Sequence, residues 1–163
     1  MFKYFRIGIV TFVVLFCTAL RAWAVEPMKK EAAAKDFSLK DLSGQVYTLQ
    51  GYKDRQPVAL VFWNMDCSIC RDELMSLNII YPELQKEGIE VLAIDVGDPI
   101  FAVRYYVQKR GLLMKVLLDR DAAVARQYYV MGVPTYILIN KKGNVVFEGY
   151  RFPRSRYKDL FSK

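Results

Sequence analysis

Pro57-Val-Ala-Leu-Val-Phe-Trp63 runs without a charge into Asn64-Met65-Asp66, and Cys67-Ser68-Ile69-Cys70 follows at once. A continuous apolar run closed by turn-forming residues is the pattern of a strand buried on both faces, at the centre of an α/β sheet. From Cys67 to about Lys86 the spacing predicts a helix, so both cysteines stand where a strand passes into a helix. In open α/β sheets, ligands and reacting groups gather beyond the carboxyl ends of the strands. A cysteine at such a point also faces the unpaired N–H groups of the first helical turn, which favour thiolate over thiol. Cys67 is expected to be the more exposed of the two and Cys70, one turn into the helix, the more buried. Cys67 can then attack a disulfide and Cys70 release the mixed disulfide that results.

Outward from this unit, strands alternate with helices. Phe37–Lys40 and Val46–Leu49 flank Asp41-Leu42-Ser43-Gly44 and read as a hairpin. Ile89–Val96 is a second buried strand, and Pro99 and Gly111 bracket a helix. Val116–Leu118 reads as a short strand and Asp121–Tyr129 as a short helix. Thr135–Ile139 and Val145–Glu148 pair across Asn140-Lys141-Lys142-Gly143, and Arg154–Phe161 closes the chain as a helix. The order predicts an α/β domain, a central mixed β-sheet flanked by helices on both faces with a β-hairpin added at its N-terminal side.

The chain has 163 residues, enough for one domain with a real core. It contains no His, which removes catalytic imidazole bases and His-ligated metal or haem sites. The net charge of +7 suggests an acidic partner until its location is considered. Lys3, Arg6 and Arg21 lie in an N-terminal stretch with the marks of an export signal, and without residues 1–24 the surplus falls to +4. That remainder is not gathered in one stripe, so nucleic acid is not an expected partner. The basic tail residues Arg151, Arg154, Arg156 and Lys158 read as a solvated face rather than a docking patch.

Residues 1–24 carry a basic head, an uncharged run over Ile7–Leu20 and the small-bulky-small Ala22-Trp23-Ala24. This is the pattern of a secretory signal peptide cleaved after Ala24. The run is shorter than the ~20 residues of a spanning helix, which favours cleavage over an uncleaved anchor. Either outcome exports the remainder. Cys17 falls inside the apolar run, and bulky Phe16 before it speaks against lipid attachment. Residues 25–35 read as a polar linker and 36–163 as the folded domain.

Two cysteines remain in the exported part, and in an oxidising compartment they can form one short-range disulfide. A zinc site fails on ligand count, since a third Cys and any His are missing. An inert stabilising bridge is the plain alternative, but so small a loop constrains the unfolded chain little. No cofactor or metal is expected beyond the redox-active pair itself. One turn beyond Cys70, Glu73 falls within a stripe formed by Ile69, Leu77, Ile80 and Leu84 on a helical wheel. A carboxyl turned to the core must find a partner or hold a proton. Glu73 is thus a candidate to exchange a proton with the Cys70 thiol, the plain alternative being a side chain that reaches solvent. Pro134 cannot donate to a ladder and so belongs at a strand start.

Phe62-Trp63, Cys67-x-x-Cys70, Gly132-Val133-Pro134-Thr135 and Asn140-x-x-Gly143 together resemble the thioredoxin superfamily, in order and spacing, over about residues 36–150. The hairpin, the export signal and Glu73 look most like its TlpA/ResA-like branch. The resemblance implies a thioredoxin-like fold with Pro134 cis beside the cysteine pair. Trp63, Val133, Pro134 and Thr135 would then shape the substrate site, and Glu73 would tune it. It also implies thiol–disulfide oxidoreductase activity on exported disulfide-containing proteins, apocytochrome c among them. A membrane thiol transporter would be the electron donor, in the bacterial periplasm or at the outer face of the cytoplasmic membrane. Two departures stand out. Asp66 occupies the place of the family's usual aromatic residue before the first Cys, and its charge is expected to disfavour the Cys67 thiolate. Val61 stands where thioredoxins carry a buried aspartate, which leaves Glu73 as the candidate proton carrier.

Two rivals remain open. A peroxiredoxin-like thiol peroxidase needs a Pro-x-x-x-Thr-x-x-Cys setting, and the residues before Cys67 lack that Pro and Thr. A non-catalytic binding module would keep the fold without using the pair. Direction of electron flow is also open, because couples on this fold differ widely and ~30 mV shifts the equilibrium tenfold.

Overall fold

The computed structural model describes residues 32–162; the expected signal, and the linker before residue 32, lie outside them. The hairpin is β1 (Ser38–Asp41) and β2 (Val46–Thr48), followed by a 3-10 turn over Leu49–Gly51. Then come β3 (Val58–Trp63), α1 (Ser68–Lys86), β4 (Glu90–Val96), α2 (Ile100–Arg110) and β5 (Lys115–Asp119). α3 (Ala123–Gln127), β6 (Thr135–Ile139), β7 (Val145–Gly149) and α4 (Tyr157–Phe161) complete the described chain. The seven strands form one sheet in the order β2-β1-β5-β4-β3-β6-β7. β3, β4 and β5 run parallel, while β6 pairs antiparallel with β3, and β1 with β5.

β3 is buried along its whole length, as its apolar run requires. One face of the sheet packs Ala59, Val61 and Trp63 against Leu74, Leu77 and Leu84 of α1 and Val103 of α2. The other packs Leu60, Phe62 and Ile94 against Leu49 and against Val124 and Tyr128 around α3. Each of the buried Val, Leu, Ile and Phe side chains contributes roughly 1.5–3 kcal/mol by leaving water, so the centre of the sheet is the most costly part to open. The parallel pairing of β3 with β4 sends both carboxyl ends to one edge, where the cysteines begin α1.

Three elements differ from the sequence reading. The helix expected over residues 121–129 is only Ala123–Gln127. Ala122 before it and Tyr129 after it both take positive φ, which stops helical propagation. The last helix starts at Tyr157 instead of Arg154, because Arg156 is off helical geometry at φ −141. The basic tail residues Arg151, Arg154, Arg156 and Lys158 are all exposed, as a solvated face would be, with Arg154 donating to the Ser76 carbonyl and Lys158 paired with Glu87 at 2.7 Å. Finally, residues 32–35, the end of the expected linker, lie along the β6–β7 turn, where the Ala34 N–H donates to the Gly143 carbonyl at 2.9 Å. Gly143 sits at φ +86 in that turn, a region open to glycine at little cost.

Candidate active site

α1 begins at Cys67, whose extended backbone makes it the N-cap, and the Cys67 sulfur accepts the Cys70 backbone N–H at 3.0 Å. Cys67 and Cys70 are joined in a disulfide, with Cα atoms 5.2 Å apart. Cys67 is half-buried, while Cys70 is 1% exposed among Leu74, Leu77 and Trp63. An incoming sulfur can therefore reach Cys67 and not Cys70. With the bond open, the helix N–H directed at the Cys67 sulfur favours a thiolate there.

The turn delivering Cys67 is held from several sides. Asn64 Oδ1 accepts the Cys67 N–H at 3.0 Å, and Asp98 Oδ2 accepts the Met65 N–H at 2.6 Å. The Arg71 guanidinium donates to the Met65 carbonyl, and Tyr106 donates to the Arg71 carbonyl. Asp66 points into solvent beside Cys67.

Antiparallel pairing of β6 with β3 brings Thr135 opposite Phe62, and so carries the Gly132–Pro134 loop to the cysteines. The Val133–Pro134 bond is cis, and the Val133 carbonyl oxygen lies 3.6 Å from the Cys67 sulfur. Thr135 is buried and donates from Oγ1 to the Gly132 carbonyl at 2.6 Å, fixing the loop from within. Pro134 is buried and Val133 half-buried. Trp63 is buried beneath the pair, 5.5 Å from the Tyr106 ring, so it supports the site from below and presents no surface to a substrate. Ile69, between the cysteines, and Met131 are 62% and 91% exposed.

Glu73 is brought near the core, but not as the helical wheel had it. The buried stripe of α1 is Cys70, Leu74, Leu77, Tyr81 and Leu84, rotated from the expected one, and Ile69 faces solvent. Glu73 lies half-buried on the flank of that stripe. The Tyr136 hydroxyl donates to Glu73 Oε2 at 3.2 Å. Burial, and then the nearby Glu73 charge, push the Tyr136 phenol well above its usual range, so it remains a donor.

Sequence reasoning missed Asp95. It ends the apolar run Val91-Leu92-Ala93-Ile94, where a lone charged residue is the signal that could have revealed it. Asp95 is 1% exposed, and burial, followed by the carboxyl of Asp98, pushes its acid up to about 8. Among the described residues no group of three or more His, Cys, Asp or Glu is placed to hold a metal.

The chain is similar to known proteins. The AhpC/TSA family model matches residues 31–148. The thiol-disulfide oxidoreductase ResA of Geobacillus thermodenitrificans is 38% identical over 114 residues, 70% of this chain and 65% of that protein, so the chain spans slightly under two thirds of that curated relative. ResA of Bacillus thuringiensis subsp. konkukian is 32% identical over 123 residues, 76% of this chain and 70% of the relative. A Chlorobium tepidum crystal structure, proposed to be the thiol:disulfide interchange protein DsbE, shares the fold at a TM-score of 0.72 and 23% identity, covering 83% of this chain and 97% of that one. With the sheet order, the paired cysteines and these matches together, the chain belongs to the AhpC/TSA family, on the thioredoxin-like fold that its motifs led one to expect.

Proposed function

We propose that the chain is an exported thiol–disulfide oxidoreductase working mainly as a reductant. The observation that carries the reading is the Cys67–Cys70 disulfide at the start of α1, with one sulfur reachable and the other buried. Relatives named ResA thiol-disulfide oxidoreductases support it. The Cys67 thiolate attacks one sulfur of a substrate disulfide, and the other substrate sulfur leaves as a thiolate that takes up a proton. Cys70 then gives up its proton and attacks the Cys67 sulfur, closing the enzyme disulfide and releasing the second substrate sulfur. Two electrons have passed to the substrate, and a dithiol donor returns them.

Glu73 tunes the pair from one turn away, while Val133, Pro134 and Thr135 shape the groove against which an extended substrate segment pairs. Trp63 completes the site as its floor. The substrates are disulfide-containing exported proteins, with apocytochrome c as the specific proposal. The donor is a membrane thiol transporter, and the place of action is the periplasm or the outer face of the cytoplasmic membrane. Residues 1–24 supply the export signal and 36–163 the thioredoxin-like domain, with a linker between them whose last residues, 32–35, dock on the β6–β7 turn.

Reduction of insulin by dithiothreitol tests the activity. The protein is expected to accelerate it, and Cys67→Ala to abolish the acceleration. With an exported-protein extract, Cys70→Ala should accumulate mixed disulfides that Cys67→Ala does not. Equal trapping by both variants would instead mark a non-catalytic binding module. Rapid peroxide consumption with added thiol would mark a peroxidase.

A further inference from the structure

Asp95 is the register partner of Trp63 across the β3–β4 ladder. Val91 and Ala93 face the layer beneath α1, and strand alternation places Asp95 on that same face. There its Oδ2 has no hydrogen-bond partner, and neither has Nε1 of Trp63. Its Oδ1 accepts the Asp98 backbone N–H at 3.3 Å, and Asp98 in turn accepts the Met65 N–H at 2.6 Å. A line of contacts therefore joins a buried carboxyl to the turn that delivers Cys67.

The neighbouring charges do not neutralise Asp95. Asp119 at the end of β5 is a like charge, and both its oxygens are taken by the N–H groups of Val124 and Ala125. Arg71 on α1 is directed at the Met65 carbonyl, and Tyr106 on α2 at the Arg71 carbonyl. Cys70 is held in the disulfide. Among the described residues no Lys or Arg forms an ion pair with Asp95. An ionised carboxylate oxygen without a donor is costly in an apolar layer, and a second carboxylate beside it adds to the cost. Protonating Asp95 removes both penalties, because the acid then donates to the Asp98 carboxyl, the side-chain contact that, after burial, raises it.

We propose that Asp95 and Asp98 form a carboxyl pair sharing a proton held on Asp95, that positions the active-site turn and links proton binding at Asp95 to the redox state of Cys67–Cys70. The proposal rests on the thiol–disulfide reading and adds two positioning residues to it. When a dithiol opens the disulfide, the donor is oxidised to its own disulfide and Cys67 and Cys70 receive its two electrons and two protons. Cys67 then releases a proton to become the attacking thiolate. Its negative charge opposes ionisation of Asp95, so the reduced protein keeps the Asp95 proton to a higher pH than the oxidised protein does. By reciprocity, an ionised Asp95 makes the Cys67 thiolate harder to form.

The test is a carboxyl carbon-13 NMR titration of the full chain, oxidised and reduced, with insulin reduction measured alongside. In the oxidised protein Asp95 should titrate near pH 8, as its burial indicates. Reduction should tighten its proton affinity at least threefold. Asp98→Asn removes the like charge and should weaken that affinity at least tenfold. An Asp95 midpoint that is identical in the two redox states overturns the proposal, as does one that Asp98→Asn leaves unmoved. The redox comparison uses only the unaltered protein, so an unstable variant does not spoil it. A redox-dependent midpoint in a protein that fails to reduce insulin supports the pair and counts against the oxidoreductase reading. Insulin reduction with a redox-independent midpoint overturns the pair alone.

Discussion

The Cys67 sulfur lies 3.6 Å from the carbonyl oxygen of Val133, a residue 66 positions further along the chain. Nothing local imposes this closeness. It follows from the β3–β6 register, which sets Phe62 opposite Thr135 and so brings the loop before β6 to the start of α1. A charge placed at residue 133 should therefore act on the sulfur directly. Val133→Lys is expected to lower the pH at which the Cys67 thiolate forms and Val133→Asp to raise it, with thiolate populations near neutrality differing roughly tenfold between them. Both substitutions disturb the packing of a half-buried valine, so the opposite signs separate electrostatics from damage. Absorbance of the thiolate during a pH titration reads the result.

Asp66 offers a gentler version of the same effect. Its carboxylate is exposed beside Cys67, so solvent screens it. Asp66→Asn should shift the Cys67 titration downward at low ionic strength, and the shift should shrink markedly in ~1 M salt. An identical low-salt titration for the unaltered protein and the Asp66→Asn variant would remove Asp66 from the groups that tune the site.

Glu73 and Tyr136 can be separated into structural and functional contributions. Tyr136→Phe keeps the ring packed near Phe152, 6.0 Å away, and deletes only the donor to Glu73. The expected loss is about 1–2 kcal/mol. For a domain of this size that is a fall in Tm of roughly 3–8 °C, measurable by thermal denaturation. If Glu73 tunes the cysteine pair, the pH profile of insulin reduction shifts as well. A lowered Tm with an unaltered profile would confine Glu73 to a structural part.

Stability should also depend on pH through Asp95. Its acid is raised to about 8 in the folded protein, whereas in an unfolded chain an aspartate titrates near ~3.9. Between these values the folded state holds more protons than the unfolded one, so stability falls as pH rises from about 4 to about 8 and levels off above. Denaturant midpoints measured across that window should show the decline, and Asp95→Asn should flatten it.

Much of this architecture is legible in the sequence because it depends on short-range pattern. The apolar run ending at Trp63, the Gly and Pro brackets around α2 and the Asn140–Gly143 turn each specify an element locally. The position of the cysteines at the start of α1 follows from the same reading. What escaped depends on contacts between distant segments. The helical wheel cannot say which side of α1 meets the sheet, and the answer, the side carrying Cys70 and Leu74, moved Ile69 into solvent. Tyr136 could not be assigned to Glu73 because 63 residues separate them. Asp95 was hidden for a related reason: a charged residue in a buried strand is informative only once its face and its neighbour Asp98 are known.

The most direct measurement is a redox titration of the Cys67–Cys70 pair in the native protein against a dithiol–disulfide buffer, with free thiols trapped and counted at each point. A reversible two-electron interconversion is expected, with a midpoint towards the reducing end of this fold's range at about −270 mV, where ~30 mV changes the ratio tenfold. A bridge that stays closed across that range and opens only when the domain unfolds would contradict it.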